Sequence, residues 1–220
     1  MDLMHAAIAA GKPWAKAPGR SWLKNATRPD DEASGVLILA KTKAVLATLQ
    51  DWFGAERPGR NYLVLVKGCP IEDQFEIDAA IGPHPERPRF MRLDSRQGKR
   101  SKTLVSMVER FSSWSLLRCE ALTDRPHQIR LHLRHAALPV VGDNLYGGRP
   151  LLLSRLKSDY RLRPEREERP LIALPALHSE SVTFPHPVTG QSLTITAPWP
   201  KDLTVGVKYL RRYAAGTPLP

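Results

Sequence analysis

Cysteine is almost absent from this chain. Its 220 residues hold two, Cys69 and Cys119, neither with a histidine or a second cysteine at ligand spacing. A disulfide framework and a zinc site are therefore not expected, which suits a reducing cytoplasm. No apolar run approaches the roughly 20 residues that a membrane span requires, so no membrane partner is expected. Met1 to Ala10 is mildly apolar, but Asp2 and His5 interrupt it and no basic residue leads it, unlike a secretory signal. Internal repeats, low-complexity tracts and phosphate-cradling glycine loops are also missing. No helical histidine pair has an acid beside it, which disfavours a metal-dependent hydrolase and leaves no metal expected. Acidic residues are scarce, at 22 against 33 Lys and Arg.

That last deficit is the first positive clue. A net charge of +11 favours a polyanionic partner, because each phosphate neutralised by Lys or Arg releases condensed counterions. The excess is concentrated: Arg87, Arg89, Arg92, Arg96, Lys99, Arg100 and Lys102 share residues 87–102 with one acid, Asp94. Following Pro83, Pro85 and Pro88, the stretch reads as an exposed basic loop that contacts nucleic acid. Otherwise 42% hydrophobic and 25% charged residues make an ordinary globule. A chain of this length buries about 70% of its unfolded surface, enough for one core and a monomer.

Periodicity supplies the elements. Residues 1–24 show none and read as irregular. The polar loop Thr27-Arg28-Pro29-Asp30-Asp31-Glu32-Ala33-Ser34-Gly35 empties into Val36-Leu37-Ile38-Leu39-Ala40, a branched apolar run expected to be a buried strand with acids at its mouth. Thr42 is placed to cap a helix carrying Leu46, Leu49, Trp52 and Phe53 on one stripe. Asn61 to Val66 reads as a strand, and residues 71–100 as a long connection with short extended pieces. Thr103–Phe111 and Trp114–Leu122 form an expected hairpin. A helix then follows Arg125-Pro126, with Pro126 in its first turn and Ile129, Leu133 and Ala136 on one face. Arg130 and Arg134 share another face. Residues 149–170 read as a charged, partly helical insertion, and Ser181–Phe184 and Ser192–Ala197 as strands. A helix from Leu203 to Tyr213 and a tail at 214–220 complete the chain. Many strands, few helices and one core make an α+β domain over residues 25–213.

Four segments share a resemblance. Arg28-Pro29-Asp30-Asp31-Glu32-Ala33-Ser34-Gly35 resembles the Arg-Leu-Asp-x-x-Thr-Ser-Gly motif of the RluA-type RNA pseudouridine synthases, with Pro29 in place of leucine. Arg125-Pro126-His127-Gln128-Ile129-Arg130 and the following Gly142-Asp143-Asn144-Leu145-Tyr146-Gly147 resemble that family's Gly-Arg-Thr-His-Gln-Ile-Arg and Gly-Asp-x-x-Tyr-Gly. Leu177-His178 and His186-Pro187-Val188-Thr189-Gly190 resemble its closing signatures. Four concordant segments over about residues 25–203 are more specific than any one.

The resemblance implies the pseudouridine synthase fold, a single mixed and mainly antiparallel sheet with flanking helices. It implies an enzyme that needs no cofactor and isomerises uridine in ribosomal or transfer RNA. Asp30 would attack the sugar of a flipped nucleotide, and Tyr62 would stack on the uracil. Arg130 would pair with Asp30 and favour its carboxylate form. Arg28 would hold or displace the nucleotide, and Ile129 would pack beneath the base. Arg125, His127, Arg96, Lys99, Arg100 and Lys102 are the further candidates for RNA contact. Alone, each residue has a plainer reading. Three acids before a strand are a solvated turn, Tyr62 is core, Arg130 is a surface helix residue, and His127 and His132 are hydrogen-bonded structural histidines. A non-catalytic RNA-binding relative is the alternative to the enzyme.

Overall fold

Leu63, Val64, Leu65 and Val66 are four successive residues with no solvent exposure. A strand can bury such a run only if both of its faces are covered. The structure is a computed structural model that describes residues 10–11, 22, 24–27, 30, 32–55, 57, 59–162 and 165–215. Its early strands are β1 (Lys24–Asn25), β2 (Ser34–Gly35), β3 (Leu39–Ala40), β4 (Arg60–Lys67), β5 (Gln74–Asp78), β6 (Ile81–Pro83) and β7 (Met91–Leu93). β8 (Lys102–Arg110), β9 (Trp114–Ala121), β10 (Leu177–Pro185) and β11 (Ser192–Thr196) follow. The helices are α1 (Lys43–Gly54), α2 (Gln128–His135) and α3 (Lys201–Tyr213), with one 3-10 turn at Leu153–Arg155.

The main sheet runs β11-β10-β4-β9-β8-β5, every pair antiparallel, and the short β2 lies parallel to β10. This is the α+β arrangement, with strand β4 near its centre. Leu63 and Leu65 pack with Leu203, Val207 and Leu210 of α3. Val64 and Val66, pointing the other way, pack with Ile129 and Leu133 of α2. Tyr62 continues the α2 side toward Ala33, at the mouth of the acidic loop. The strand alternation therefore aims one side chain of the central strand at that loop.

α1 begins as its sequence suggests, with Thr42 Oγ1 accepting from the Val45 amide at 3.2 Å. It buries Leu49 and Phe53 against Val182 and Phe184 of β10. The hairpin β8–β9 also forms, with an irregularity in register between Met107 and Glu109.

Three expectations need correction. Val36 to Ala40 is not one strand: β2 pairs with β10, β3 pairs with β1, and Val36–Ile38 crosses between them. The apolar pattern still tracks burial, since Val36, Ile38 and Ala40 are buried together, but the backbone changes partners midway. Gly35 permits the change with φ +111°, and a Cβ there would collide with the Ser179 backbone. Pro126 does not sit in the first helical turn, because α2 starts at Gln128 after a left-handed His127 at φ 55°. Lys102 is not in a loop either: it opens β8 and pairs with Glu76 of the neighbouring strand at 2.8 Å. Residues 1–9 and 12–21, part of the stretch read as irregular, lie outside the described residues, as do Arg28, Pro29, Asp31 and residues 216–220 of the tail.

Candidate active site

Helix α2 has an unusual content for a buried element. Gln128, Arg130 and His132 are all buried, and each polar atom finds a partner, as burial demands. Gln128 Oε1 accepts from Thr123 Oγ1 and the Arg125 amide, while its Nε2 donates to the Lys102 carbonyl and to Thr103 Oγ1. His132 bonds Thr103 Oγ1 and the Ala79 carbonyl through its two ring nitrogens, and burial lowers its pKa. These bonds fix the roll of the helix and so the direction of Arg130.

The Arg130 side chain is 2% exposed and spends all three nitrogens on carboxylates. Nε and Nη2 fork onto Asp143 at 2.7 Å each, Nη2 also reaches Glu32 at 3.1 Å, and Nη1 reaches Asp30 Oδ2 at 3.4 Å. Burial opposes the charge, but the Asp143 hydrogen bonds and charge, with Asp30 and Glu32, hold the guanidinium above its ordinary pKa. Asp143 is 1% exposed and also caps its own turn, accepting from the Leu145 and Tyr146 amides. It anchors the arginine from one side, and Asp30 receives the nitrogen that remains.

His127 supplies the second hold on Asp30. Its left-handed backbone presents the amide to Asp30 Oδ1 at 3.2 Å. Histidine is among the residues that adopt this conformation more readily. The His127 ring bonds the Tyr146 hydroxyl at 2.6 Å, and that hydroxyl accepts the Met91 amide at 3.1 Å. The Tyr146 ring lies 5.1 Å from the Arg130 guanidinium, a cation-π contact on a buried phenol. Asp30 thus has both oxygens held, one by a cation and one by a main-chain donor.

Asp30, Tyr62, Arg125 and Ile129 line one cavity, together with Ala33, Thr123 and Asp124. At about 30 Å³ it has room for roughly one water. Burial, then the Asp124 carboxylate, push the Tyr62 phenol up to about 12, so it is neutral at physiological pH. Asp124 is in turn paired with the buried Arg60 at 3.4 Å.

The expected residues therefore divide. Asp30, Tyr62, Arg130, Ile129, Arg125 and His127 come together, although Arg130 reaches them as a buried anchor rather than a surface residue. Arg96, Lys99, Arg100 and Lys102 do not line this cavity; Arg100 and Lys102 are tied to it through backbone, Arg125 Nε donating to the Arg100 carbonyl at 3.1 Å and the Lys102 amide donating to Thr123 Oγ1 at 2.9 Å. Arg28 lies outside the described residues. Sequence reasoning gave no role to Asp143, Tyr146 or Glu32. Asp143 and Tyr146 were visible in the Gly142–Gly147 segment, and the demand of a buried arginine for more than one carboxylate is the signal that points to them.

The fold is that of RNA pseudouridylate synthase domains. Residues 12–135 match the family model described as RNA pseudouridylate synthase, and the chain belongs to that family. It is 35% identical over 188 residues to ribosomal large subunit pseudouridine synthase D of Xanthomonas campestris pv. campestris, covering 86% of this chain and 55% of that protein. It is 31% identical to ribosomal large subunit pseudouridine synthase C of Salmonella typhi, over 90% of this chain and 59% of that one. The chain thus spans little more than half the length of these curated relatives. Among solved structures, human RNA Pseudouridylate Synthase Domain Containing 1 superposes with a TM-score of 0.60 at 26% identity, covering 80% of this chain and 69% of that one. Human RNA Pseudouridylate Synthase Domain Containing 4 shares the fold at TM-score 0.63 and 20% identity, over 86% and 76% of the two chains.

Proposed function

We propose that this chain converts uridine to pseudouridine in ribosomal or transfer RNA, with Asp30 as nucleophile. The observation that carries the proposal is the Arg130–Asp30 contact at the edge of a cavity shared by Tyr62 and Ile129. A base inside a duplex is unreachable, so the target nucleotide is extruded, at a cost of a few kcal/mol, and held between aromatic and apolar groups. The Asp30 carboxylate attacks C1′ and the C1′–N1 bond breaks, releasing uracil. The ring turns, C5 bonds to C1′, the carboxylate departs, the proton on C5 is lost to solvent, and N1, which left with the bonding pair, takes up a proton in its place. No electrons are gained or lost, so the sequence closes without a cofactor. Tyr62, neutral at the working pH, stacks on the ring, and Ile129 packs on its other side. Base entry opens the small cavity, a step that ties catalysis to RNA binding.

Arg28, Arg96, Lys99, Arg100 and Lys102 are assigned to the RNA backbone, where cations position without reading sequence. We place the protein in the cytoplasm as a monomer, with residues 25–213 as the catalytic domain. The deciding experiment is tritium release from RNA labelled at uridine C5. Wild-type protein releases tritium; Asp30→Asn releases none and binds the same RNA within about twofold. Equal release by Asp30→Asn refutes the nucleophile. No release by wild type from any cellular RNA, with binding intact, favours a non-catalytic RNA-binding relative.

A further inference from the structure

A larger cleft lies on the far side of Tyr146, between the β6–β7 hairpin and the outer face of α2. Its volume is about 570 Å³, within the range of small-molecule and nucleotide pockets. His84, Arg87, Arg92, Arg134 and His135 line it together with Phe90, and no lining residue is acidic. Leu131 and Tyr146 form an apolar floor, both buried. Arg92 is held by Asp94 at 2.7 Å, and the Arg87 guanidinium lies 5.7 Å from the Phe90 ring. Arg134 is exposed and, among the described residues, its side chain makes neither a hydrogen bond nor an ion pair. The Phe90 ring is half-buried and meets Tyr146 edge-on at 6.4 Å.

Resting on the reading of the chain as an RNA-modifying enzyme, we propose that this cleft is a second nucleotide subsite. It takes an unpaired nucleotide of the same RNA strand, close to the target uridine. The phosphate is met by Arg87, Arg92 and Arg134, and the base lies on Phe90 over the apolar floor. Aromatic rings accept any base through its π-face, and arginines accept the phosphate, so the subsite reads an unstacked nucleotide rather than a sequence. Its distance from the reaction is short in bonded terms. Tyr146, which floors the cleft, bonds His127, and the His127 amide holds Asp30. The cleft therefore borders the chain of hydrogen bonds that supports Asp30, and a nucleotide seated there holds the strand close to the reacting one. Arg87 and Arg92 belong to the basic stretch legible in the sequence, whereas Arg134 and Phe90 are not among its candidate cations.

The test is a double-mutant cycle on a structured RNA that the wild-type protein modifies. Each nucleotide flanking the target is made abasic in turn, and KM, kcat and direct RNA binding are measured for wild type and Phe90→Ala. Base stacking of this kind is worth about tenfold in affinity. At one flanking position the abasic change is expected to raise KM about tenfold for wild type and to leave Phe90→Ala unaffected. Arg134→Glu is expected to raise KM at least as much with kcat changed less than twofold, and its unfolding midpoint reports that it is folded. If the abasic and Phe90 effects simply add at every flanking position, the subsite is overturned. Tritium release by wild type on the intact RNA reads the enzyme assignment separately. Should that release be absent, the cycle run on binding alone still decides whether the cleft holds a nucleotide.

Discussion

Arg130 and Arg134 are one turn apart on the same helix and meet opposite surroundings. Arg130 is buried against three carboxylates, whereas Arg134 faces a cleft with no protein partner among the described residues. The first belongs to a preorganised knot in which a charge is fixed before any ligand arrives. The second belongs to a cleft that no acidic residue lines. A buried pair contributes geometry, and breaking it leaves an uncompensated charge. An exposed cation adds little to the fold and acts through long-range attraction for a polyanion. Successive turns of one helix thereby carry the proposed nucleophile's partner and the proposed contact for RNA.

The comparison breaks most sharply at Asp143. Asp143→Ala leaves Arg130 buried with weaker partners, and a loss of about 3–5 kcal/mol in chemical denaturation is expected. A loss below about 1 kcal/mol would make the knot no different from a surface pair. Arg130→Lys keeps the charge but not the fork, so it cannot hold Asp143 and Asp30 together. It is expected to lose roughly 1.5–3 kcal/mol of transition-state support, about ten- to hundredfold in kcat, while RNA binding persists. Unchanged kcat in single-turnover assays would remove Arg130 from the proposed chemistry.

A smaller effect tests the burial of the neighbouring phenol. Because the folded Tyr62 pKa is raised to about 12, its contribution to stability is present below the ordinary tyrosine value near 10 and is lost as pH rises through that interval. Wild-type stability should fall above pH 10 more steeply than that of Tyr62→Phe, by roughly 1 kcal/mol at pH 11. Parallel curves would mean that the phenol is not perturbed. The smallest effect lies one turn beyond Arg130 along α2. Arg134→Ala should change stability by less than about 0.5 kcal/mol, yet reduce the salt dependence of RNA binding by about one unit of slope. An unchanged slope would leave Arg134 without a phosphate.

Much of the architecture was legible because it rests on local pattern. The stripe behind Thr42, the run at Leu63–Val66 and the paired strands at 102–121 each declare their element within a dozen residues. The errors fall where the backbone obeys distant partners. Val36–Ala40 has a strand's composition, but pairing with β10 at one end and β1 at the other divides it. Pro126 has a helix-start signature, but the left-handed turn at His127 delays the helix. In the site, motif order brings Asp30, Tyr62 and Arg130 to attention while leaving Asp143, Tyr146 and Glu32 without roles. The candidate cations at 96–102 stand out by density of charge, and density does not say which of them border a cavity.

By itself the sequence determined the α+β class, the excess of positive charge, and the family to which its four spaced motifs belong. Those depend on composition, periodicity and residue order, all of which are properties of the chain read in one dimension. Only the tertiary structure decided that Arg130 is buried rather than solvated, that Asp143 shares it with Asp30, and that Arg87 and Arg92 meet Arg134 across a cleft. The physical reason is that a charge takes its strength and its role from burial and from the number of its partners, and residues 100 positions apart in sequence supply both.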